Sequence, residues 1–442
     1  MGSFGSGARP QPGRPCIQGD DAFKGGARAP QGGPEMPPTA GPGPAPSATA
    51  RGRLVFLDVL RVLIISMVII HHAAQAYGPS GGFWPVEDSA TSDWFRPFYT
   101  VNAAVGLGIL FLIAGYFTPA SYERKGRRRF LRERWARIGI PLVVFVVVVN
   151  IPLAYLASGR PDPGTFISGL YSGAWQGAYF HLWFLGHLLI YTAVYALWAG
   201  RKRPGGGAGN PAGGGKQLVP PPGHAAILGF AAALILVTWV VRWWFPVDSW
   251  VPLFFLVPME PANFVQYVSL FVVGILAYRN HWFTRIPKSV GLPWLAVGFL
   301  ATVAIFSLQA FGLWFTLTAT GGFGWPSLVR VSLEALVCLG LSVGLVVAFR
   351  ELFHRSRRLL AAMAAASYAA YILHVYIVVG LQVAVLQAAW PAGGKFILVA
   401  VFGVVLSFGI GHASRSVPGL GLVLGTRQER RRPAGSASAH PA

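Results

Sequence analysis

The sequence predicts an all-α, polytopic membrane protein of about ten transmembrane helices with both termini in the cytoplasm. Of its 442 residues, 54% are hydrophobic and only 12% are charged, whereas a soluble domain carries about a quarter charged residues. Apolar runs recur along the chain at about the 20 residues that are needed to cross a hydrocarbon core. Basic residues cluster in every second loop between these runs, which is the pattern that sets membrane topology.

Composition divides the chain into three regions. Residues 1–52 are rich in Gly, Pro and Ala and are expected to form a disordered cytoplasmic tail, because they cannot bury enough apolar surface to fold. Residues 53–415 are predicted to form the transmembrane domain, and residues 416–442 a basic cytoplasmic tail. The predicted spans are 54–76, 97–118, 138–157, 178–199, 224–241, 262–278, 291–311, 327–349, 364–387 and 396–413. The short apolar stretch 250–258 is predicted to be interfacial or re-entrant.

The placement of the charges excludes several classes of function. The formal net charge of +21 lies mostly in short loops and tails, where Lys and Arg set topology, so we expect no nucleic-acid partner. The Gly-rich stretch 204–215 lacks the full phosphate-loop pattern and is interpreted as a flexible cytoplasmic linker. Cys16 and Cys338 have neither disulfide nor metal-ligand spacing, so we expect no metal site and no permanently bound cofactor.

Ionisable side chains within the first span are candidates for function, because charge at membrane depth is costly. Arg61 and His72 are eleven residues apart, which places them within roughly 20° of one helix face and roughly 16 Å apart along the axis. The loop charges put Arg61 toward the cytoplasm and His72 at the outer end. Asp58 can pair with Arg61, and His71 points away from His72. Alternatively, Arg61 is simply neutralised by Asp58 and His72 lies in the interface.

Other spans supply further candidates at similar depths. His181 opens the fourth span at nearly the depth of His72, although an interfacial residue is equally expected there. Arg330 and Glu334 form an i,i+4 pair near the outer end of the eighth span, either self-neutralised or catalytic. His374 shares a face of the ninth span, in its inner half, with Ser367 and Tyr371. That face is either part of a functional site or a surface that packs against neighbouring helices.

The cytoplasmic run before the third span contains Arg134 and Arg137. Most charge in this run sets topology, but arginines also bind phosphates well through their planar, bidentate geometry. A polyphosphate donor such as coenzyme A would suit this side of the membrane.

In these segments the chain resembles the acyltransferase-3 family of integral-membrane O-acyltransferases, which includes glucan-modifying members. LDVLRVLIISMVIIHH contains the Arg-x10-His of that family as Arg61 and His72, and FLRERWARIGIP contains its R-x-x-R as Arg134 and Arg137. HLWFLGHLL and SYAAYILH are weaker matches in the same order. The resemblance implies a cytoplasmic acyl-CoA donor, an outer hydroxyl acceptor that is usually a carbohydrate, and essential roles for Arg61 and His72.

The expected reaction is transfer of an acetyl, succinyl or similar group across the plane of a plasma membrane. His72 is expected to act as general base, with Glu334 or His181 orienting its ring. Arg61, together with Arg134, Arg137 and His374, is expected to bind the acyl-CoA.

Arg61 and His72 are expected to line one donor-to-acceptor passage; whether an acyl-histidine intermediate forms is left open. The alternatives are a multi-pass transporter of a glycan or lipid-linked intermediate and a non-catalytic membrane scaffold.

Overall fold

The computed structural model describes residues 54–79, 84–157, 159, 161–171, 174–201, 218–254, 256–355, 357–417 and 419–424. The tail at 1–52, the linker at 204–215 and the chain beyond residue 424 lie outside these residues, so the interpretations of those segments stay predictions. The cytoplasmic location of the termini also stays a prediction.

The described chain is almost entirely helical. Its α-helices are α1 Val55–Ala74, α2 Phe95–Arg134, α3 Ile140–Val143, α4 Ile151–Ala157, α5 Pro163–Tyr171, α6 Trp183–Arg201, α7 His224–Val241, α8 Pro261–Arg279, α9 Trp282–Arg285, α10 Lys288–Ala310, α11 Phe315–Thr318, α12 Trp325–Leu352, α13 Arg358–Val385, α14 Ala392–Ala413 and α15 Leu420–Val423. Wider π-helical turns at Trp135–Gly139 and Val144–Asn150 join α2 to α4, and 3-10 turns form Ala174–Leu182 and Ser414–Ser416.

The prediction of an all-α, multi-pass membrane protein is confirmed. Within the described ranges, nine helical segments are long and apolar enough to cross a membrane. One of them, Phe95–Leu156, has 62 residues, which is about 90 Å of helix at 1.5 Å per residue and far exceeds one bilayer. This segment contains two predicted spans, 97–118 and 138–157, which explains why nine segments correspond to about ten crossings.

The chain reverses direction inside this long segment, at Gly126. Gly126 has φ +69° and ψ 167°, a conformation that a residue without a Cβ adopts without steric cost. Lys125 and Glu133 form an ion pair at 2.5 Å across the break, although eight residues would separate them by about 12 Å in a straight helix. The rings of Tyr122 and Phe130 also meet, at 5.6 Å. The segment is therefore two helices joined by a tight turn.

The stretch predicted to be interfacial or re-entrant forms a small β-hairpin. Strands β1 (Val251–Leu253) and β2 (Val257–Met259) pair antiparallel, with Val251 opposite Met259. His187 on α6 binds the hairpin through Nε2, which lies 3.0 Å from the carbonyl oxygen of Pro258. Pairing between the two strands satisfies part of the backbone polar groups of this segment, which lowers the cost of packing it against the helices.

Close helix packing at glycines builds the core of the bundle. The most extensive packing joins α10 to α12, α2 to α8, and α13 to both α14 and α1. At the α2–α8 crossing, a Cβ at Gly115 would overlap the carbonyl oxygen of Phe271, and a Cβ at Gly274 would overlap that of Leu112. Small residues are what let two membrane helices approach this closely.

We expect Gly115→Ala to lower the melting temperature of the detergent-purified protein, because the added methyl group meets backbone that cannot move aside; overpacking of this kind costs about 1–3 kcal/mol. Gly229→Ala on α7 is the matched control, since a Cβ there has no neighbour within 4 Å. Equal melting temperatures for the two variants would contradict the tight α2–α8 crossing.

Candidate active site

Three histidines from different helices meet near the C-terminal end of α1. The ring centroid of His72 lies 5.1 Å from that of His374 and 6.4 Å from that of His181. The rings of His181 and His374 are 4.6 Å apart. The structure places His374 beside His72 rather than beside Arg61, since roughly 15 Å of helix separates it from Ala364, which contacts Arg61. Its expected role in binding acyl-CoA stays a prediction. We call His72, His181 and His374 the histidine cluster.

Hydrogen bonds fix which nitrogen of each ring carries the proton. His72 Nδ1 bonds to Gln75 Oε1, and because an amide oxygen only accepts, Nδ1 is the protonated atom. By the same reasoning, His181 Nε2 donates to the Ile372 carbonyl at 3.1 Å and His374 Nδ1 to the Tyr371 carbonyl at 2.6 Å. The second nitrogens of His181 and His374 are buried and have no partner among the described residues. His72 Nε2 is left as an unprotonated base.

The loop after α1 covers the histidine cluster. The Trp84 indole stacks on the His72 ring at 5.1 Å with an interplanar angle of 13°. Its Nε1 donates to Gln382 Oε1 at 2.8 Å, while Gln382 Nε2 donates to the carbonyls of His72 and Ala73 at 3.1 Å each. Gln382 therefore holds the covering indole and the end of α1 together.

A buried ion pair anchors the same loop to α14. Lys395 Nζ lies 2.9 and 2.8 Å from the two carboxylate oxygens of Asp88, and both side chains are almost fully buried. A buried pair of this geometry offsets the desolvation of each charge, so the loop is held at a defined position.

Sequence reasoning missed Gln75, Trp84 and Gln382. Only Gln75 offered a signal, since it follows His72 by three residues and can therefore reach it.

A cavity of about 560 Å³ opens beside His72, within the range of small-ligand sites. Its polar lining contains two sets of residues, besides Arg96, Tyr99, Thr100, Asn102, Thr318 and Thr320. One contains His71, His72, Gln75, Trp84, His181 and Tyr371. The other, which we call the polar wall, contains Asp248, Glu260, Asn263 and Arg330. The cavity thus exposes the base to a ligand-sized space.

Glu334 does not orient His72, contrary to one of the two alternatives expected from sequence. Its carboxylate accepts from Arg330 Nε at 2.8 Å, which confirms the predicted i,i+4 pair, and from Arg242 Nη2 at 2.7 Å. Arg242 is 2% exposed and was not singled out from sequence, because it lies just beyond the end of α7. Glu334 belongs to a buried charge network, and Gln75 is the residue that bonds His72.

Arg61 lies at the opposite end of α1 from His72. It donates to Asp58 at 2.9 Å, which confirms the predicted pair, and to the carbonyl of Ala364 at 3.0 Å. One turn further along α13, Tyr368 Oη donates to the carbonyl of Arg137 at 2.6 Å. The guanidinium of Arg134 lies over the Phe130 ring, 5.1 Å from its centroid. The sequence-predicted arginines Arg61 and Arg137 are therefore brought to neighbouring turns of one helix.

The cavity does not extend to Arg61, contrary to the expectation of one passage lined by both residues. Arg61 is not among the lining residues, whereas Met67, Val68, His71 and His72 are. On the connecting face of α1, Ile64 and Ile65 are buried in the core at 2% and 5% exposure. Apolar packing closes the space between the two ends.

Among the residues that the structure describes, no group of three or more His, Cys, Asp or Glu side chains is arranged to hold a metal ion.

Comparison with known proteins identifies the family. The family described as "Acyltransferase domain" matches residues 54–412, most of the chain. Glucans biosynthesis protein C of Escherichia coli K12 is 26% identical over 148 residues, which cover 32% of this chain and 38% of that protein. The Salmonella schwarzengrund protein of the same name is 29% identical over 154 residues, covering 34% and 39%. The matched region thus spans less than two fifths of these relatives' length. No solved structure matches the chain. The chain belongs to the acyltransferase-3 family of integral membrane proteins.

Proposed function

We propose that this protein transfers an acyl group from acyl-CoA to a hydroxyl of a carbohydrate, with His72 as general base. The observation that carries the proposal is the state of His72: Gln75 holds the proton on Nδ1, so Nε2 offers its lone pair to the cavity. A neutral imidazole can accept the proton of a hydroxyl as a general base.

In the proposed reaction, the acceptor oxygen attacks the thioester carbonyl as its proton passes to His72 Nε2. The C–S bond then breaks, the new ester keeps the acyl group, and the CoA thiolate takes the proton from His72 to leave as a thiol. His72 thus returns to its starting state. Gln75 bonds Nδ1 and keeps the ring in the tautomer that can begin the next cycle.

The donor is proposed to bind where Arg61, Arg134 and Arg137 lie. Two of these residues contact consecutive turns of α13, through Ala364 and Tyr368. Arginine recognises phosphate oxygens through paired N–H groups, which suits the phosphates of coenzyme A. This end is proposed to face the cytoplasm, where acyl-CoA is made, which the positive-inside pattern of the loops supports, and the membrane is proposed to be the plasma membrane.

Donor and acceptor ends must become connected during the reaction. Arg61 and His72 are roughly 16 Å apart along α1, and the packing of Ile64 and Ile65 separates them. We therefore propose that the acyl-pantetheine arm enters by opening the contact between α1 and α13. The relatives' name, glucans biosynthesis protein C, supports a glucan as the acceptor on the other side.

His72→Ala is expected to abolish transfer, since loss of a general base costs about 10²–10⁴-fold in rate, while membrane expression is retained. His71→Ala is the matched control and should keep most of the activity, because the His71 ring contacts Tyr99 and His72 but has no assigned proton role. The assay supplies radiolabelled acetyl-CoA or succinyl-CoA with a glucan acceptor to purified protein in liposomes, and measures thioester loss and acceptor label.

The opposite ranking of the two variants would reject the assignment of His72. Accumulation of glycan inside the liposomes without thioester cleavage would instead indicate a transporter.

Gln75→Ala is expected to reduce the rate of transfer by about 10- to 100-fold, because the ring is then free to take the wrong tautomer or orientation. Gln75→Glu keeps an oxygen acceptor at the same place and should retain far more activity. Melting temperatures of both variants in detergent separate this effect from unfolding. Equal activity of the two variants would show that the bond to Nδ1 does not matter.

A further inference from the structure

The polar wall of the cavity has no part in the proposed chemistry, yet its groups are closely organised. Glu260 is 6% exposed; its Oε1 accepts from the backbone N–H of Asp248 at 2.9 Å and its Oε2 from Asn263 at 2.7 Å. Asp248 itself is exposed in the cavity lining, and no hydrogen bond satisfies its carboxylate among the described residues. The wall therefore presents an open carboxylate supported by a buried one.

The backbone that carries Asp248 is held in an unusual conformation. Its φ of +68° is uncommon for a residue other than glycine. The neighbouring Val247 N–H donates to the Thr320 carbonyl at 2.9 Å, and His187 binds the hairpin at Pro258. These contacts from separate elements hold the backbone that carries Asp248 in place before any ligand binds.

Aromatic rings lie beside these carboxyl groups. Trp250 meets Trp183 with ring centroids 5.3 Å apart, and Trp183 lies 5.8 Å from Tyr267. All three residues line the cavity. A sugar ring has an apolar face of C–H groups and a rim of hydroxyls, so flat aromatic rings next to hydrogen-bonding carboxyl groups match both of its surfaces.

The charge of the wall favours an uncharged ligand. Partial burial, together with the charge of Glu260 and against the opposing charge of Arg330, raises the pKa of the Asp248 carboxyl to about 7. Burial also raises the pKa of Glu260, against the opposing hydrogen bonds from the Asp248 N–H and Asn263 and the charge of Arg242. Two arginines line the cavity: Arg330 is bonded to Glu334 and to the Leu317 carbonyl, and Arg96 is paired with Asp93 at 3.1 Å, so each cation already has a partner. A neutral polyhydroxyl group needs no cation to bind beside these carboxyl groups.

We propose that the polar wall and Trp250 bind a second sugar unit of the acceptor, an uncharged hexose linked to the sugar whose hydroxyl reaches His72. This inference rests on the proposed function. It means that the protein selects an oligosaccharide or polysaccharide rather than a single sugar, because only a chain of sugars can occupy the polar wall and the space beside His72 together.

The first test compares acceptors of different length. Purified protein in liposomes receives acetyl-CoA or succinyl-CoA with either methyl glucoside or a linear glucan heptasaccharide, and acylation is measured by mass spectrometry. For the unchanged protein we expect kcat/KM to be at least about tenfold higher for the heptasaccharide than for methyl glucoside. In Asp248→Asn the ratio of these two kcat/KM values should fall about tenfold, which is the effect of losing one hydrogen bond to a charged group. Trp250→Ala should act in the same direction.

Glu87→Gln is the matched control, since Glu87 is exposed and does not line the cavity; it should behave like the unchanged protein. Equal use of both acceptors by the unchanged protein, or an equal loss on both acceptors in Asp248→Asn, would overturn the second-sugar site while the acyl transfer itself stands. Acylation of neither acceptor would refute the proposed function and the inference with it.

A binding measurement separates the site from the chemistry. His72→Ala protein, which cannot transfer, is titrated with the heptasaccharide by calorimetry. Adding Asp248→Asn should weaken the Kd about tenfold, and adding Glu87→Gln should leave it unchanged. An unchanged Kd in the Asp248 variant would exclude this wall as a sugar site.

Discussion

The contact between α1 and α13 is the constraint on which the rest of the site depends. At one end Arg61 donates to the carbonyl of Ala364, and at the other Gln382 donates to the last carbonyls of α1. Four carbonyl groups at a helix C-terminus lack partners within the helix, and in an apolar environment each needs one. By supplying two such bonds, α13 fixes where α1 ends and therefore where His72 stands relative to His374.

The apolar surroundings also explain why so many site residues are held by more than one bond. An unpaired polar group in hydrocarbon costs several kcal/mol, so the polar side chains of the bundle are joined into networks. Arg242, Arg330 and Glu334 form one such network, and Asp88 with Lys395 forms another. Both lie next to the cavity or its covering loop. Among the described residues, His181 Nδ1 and His374 Nε2, both beside His72, are buried polar atoms without a partner.

Sequence predicted the helices well, because each span must be apolar over a length that the bilayer sets. Segment α7 has its predicted bounds, and helical spacing alone paired Asp58 with Arg61 and Arg330 with Glu334. Contacts between distant segments were beyond that reasoning. Arg242 meets Glu334 across 92 residues, and Trp84 meets Gln382 across 298. For the same reason, His374 was grouped with the arginines although the fold turns it toward His72.

The space between Arg61 and His72 is closed. This closure does not argue against transfer across a membrane. A permanently open polar channel would let water and ions cross, and it would bring water to the thioester near a general base. The α13 segment that meets Arg61 is rich in alanine, with Ala364, Ala366, Ala369 and Ala370 all buried. Small side chains let α1 lie close to α13. Their smooth surface would leave few interlocked groups to separate if an acyl-pantetheine arm entered there, as proposed. A contact between α1 and α13 that opens only for the donor would keep the barrier to water and ions intact between reactions.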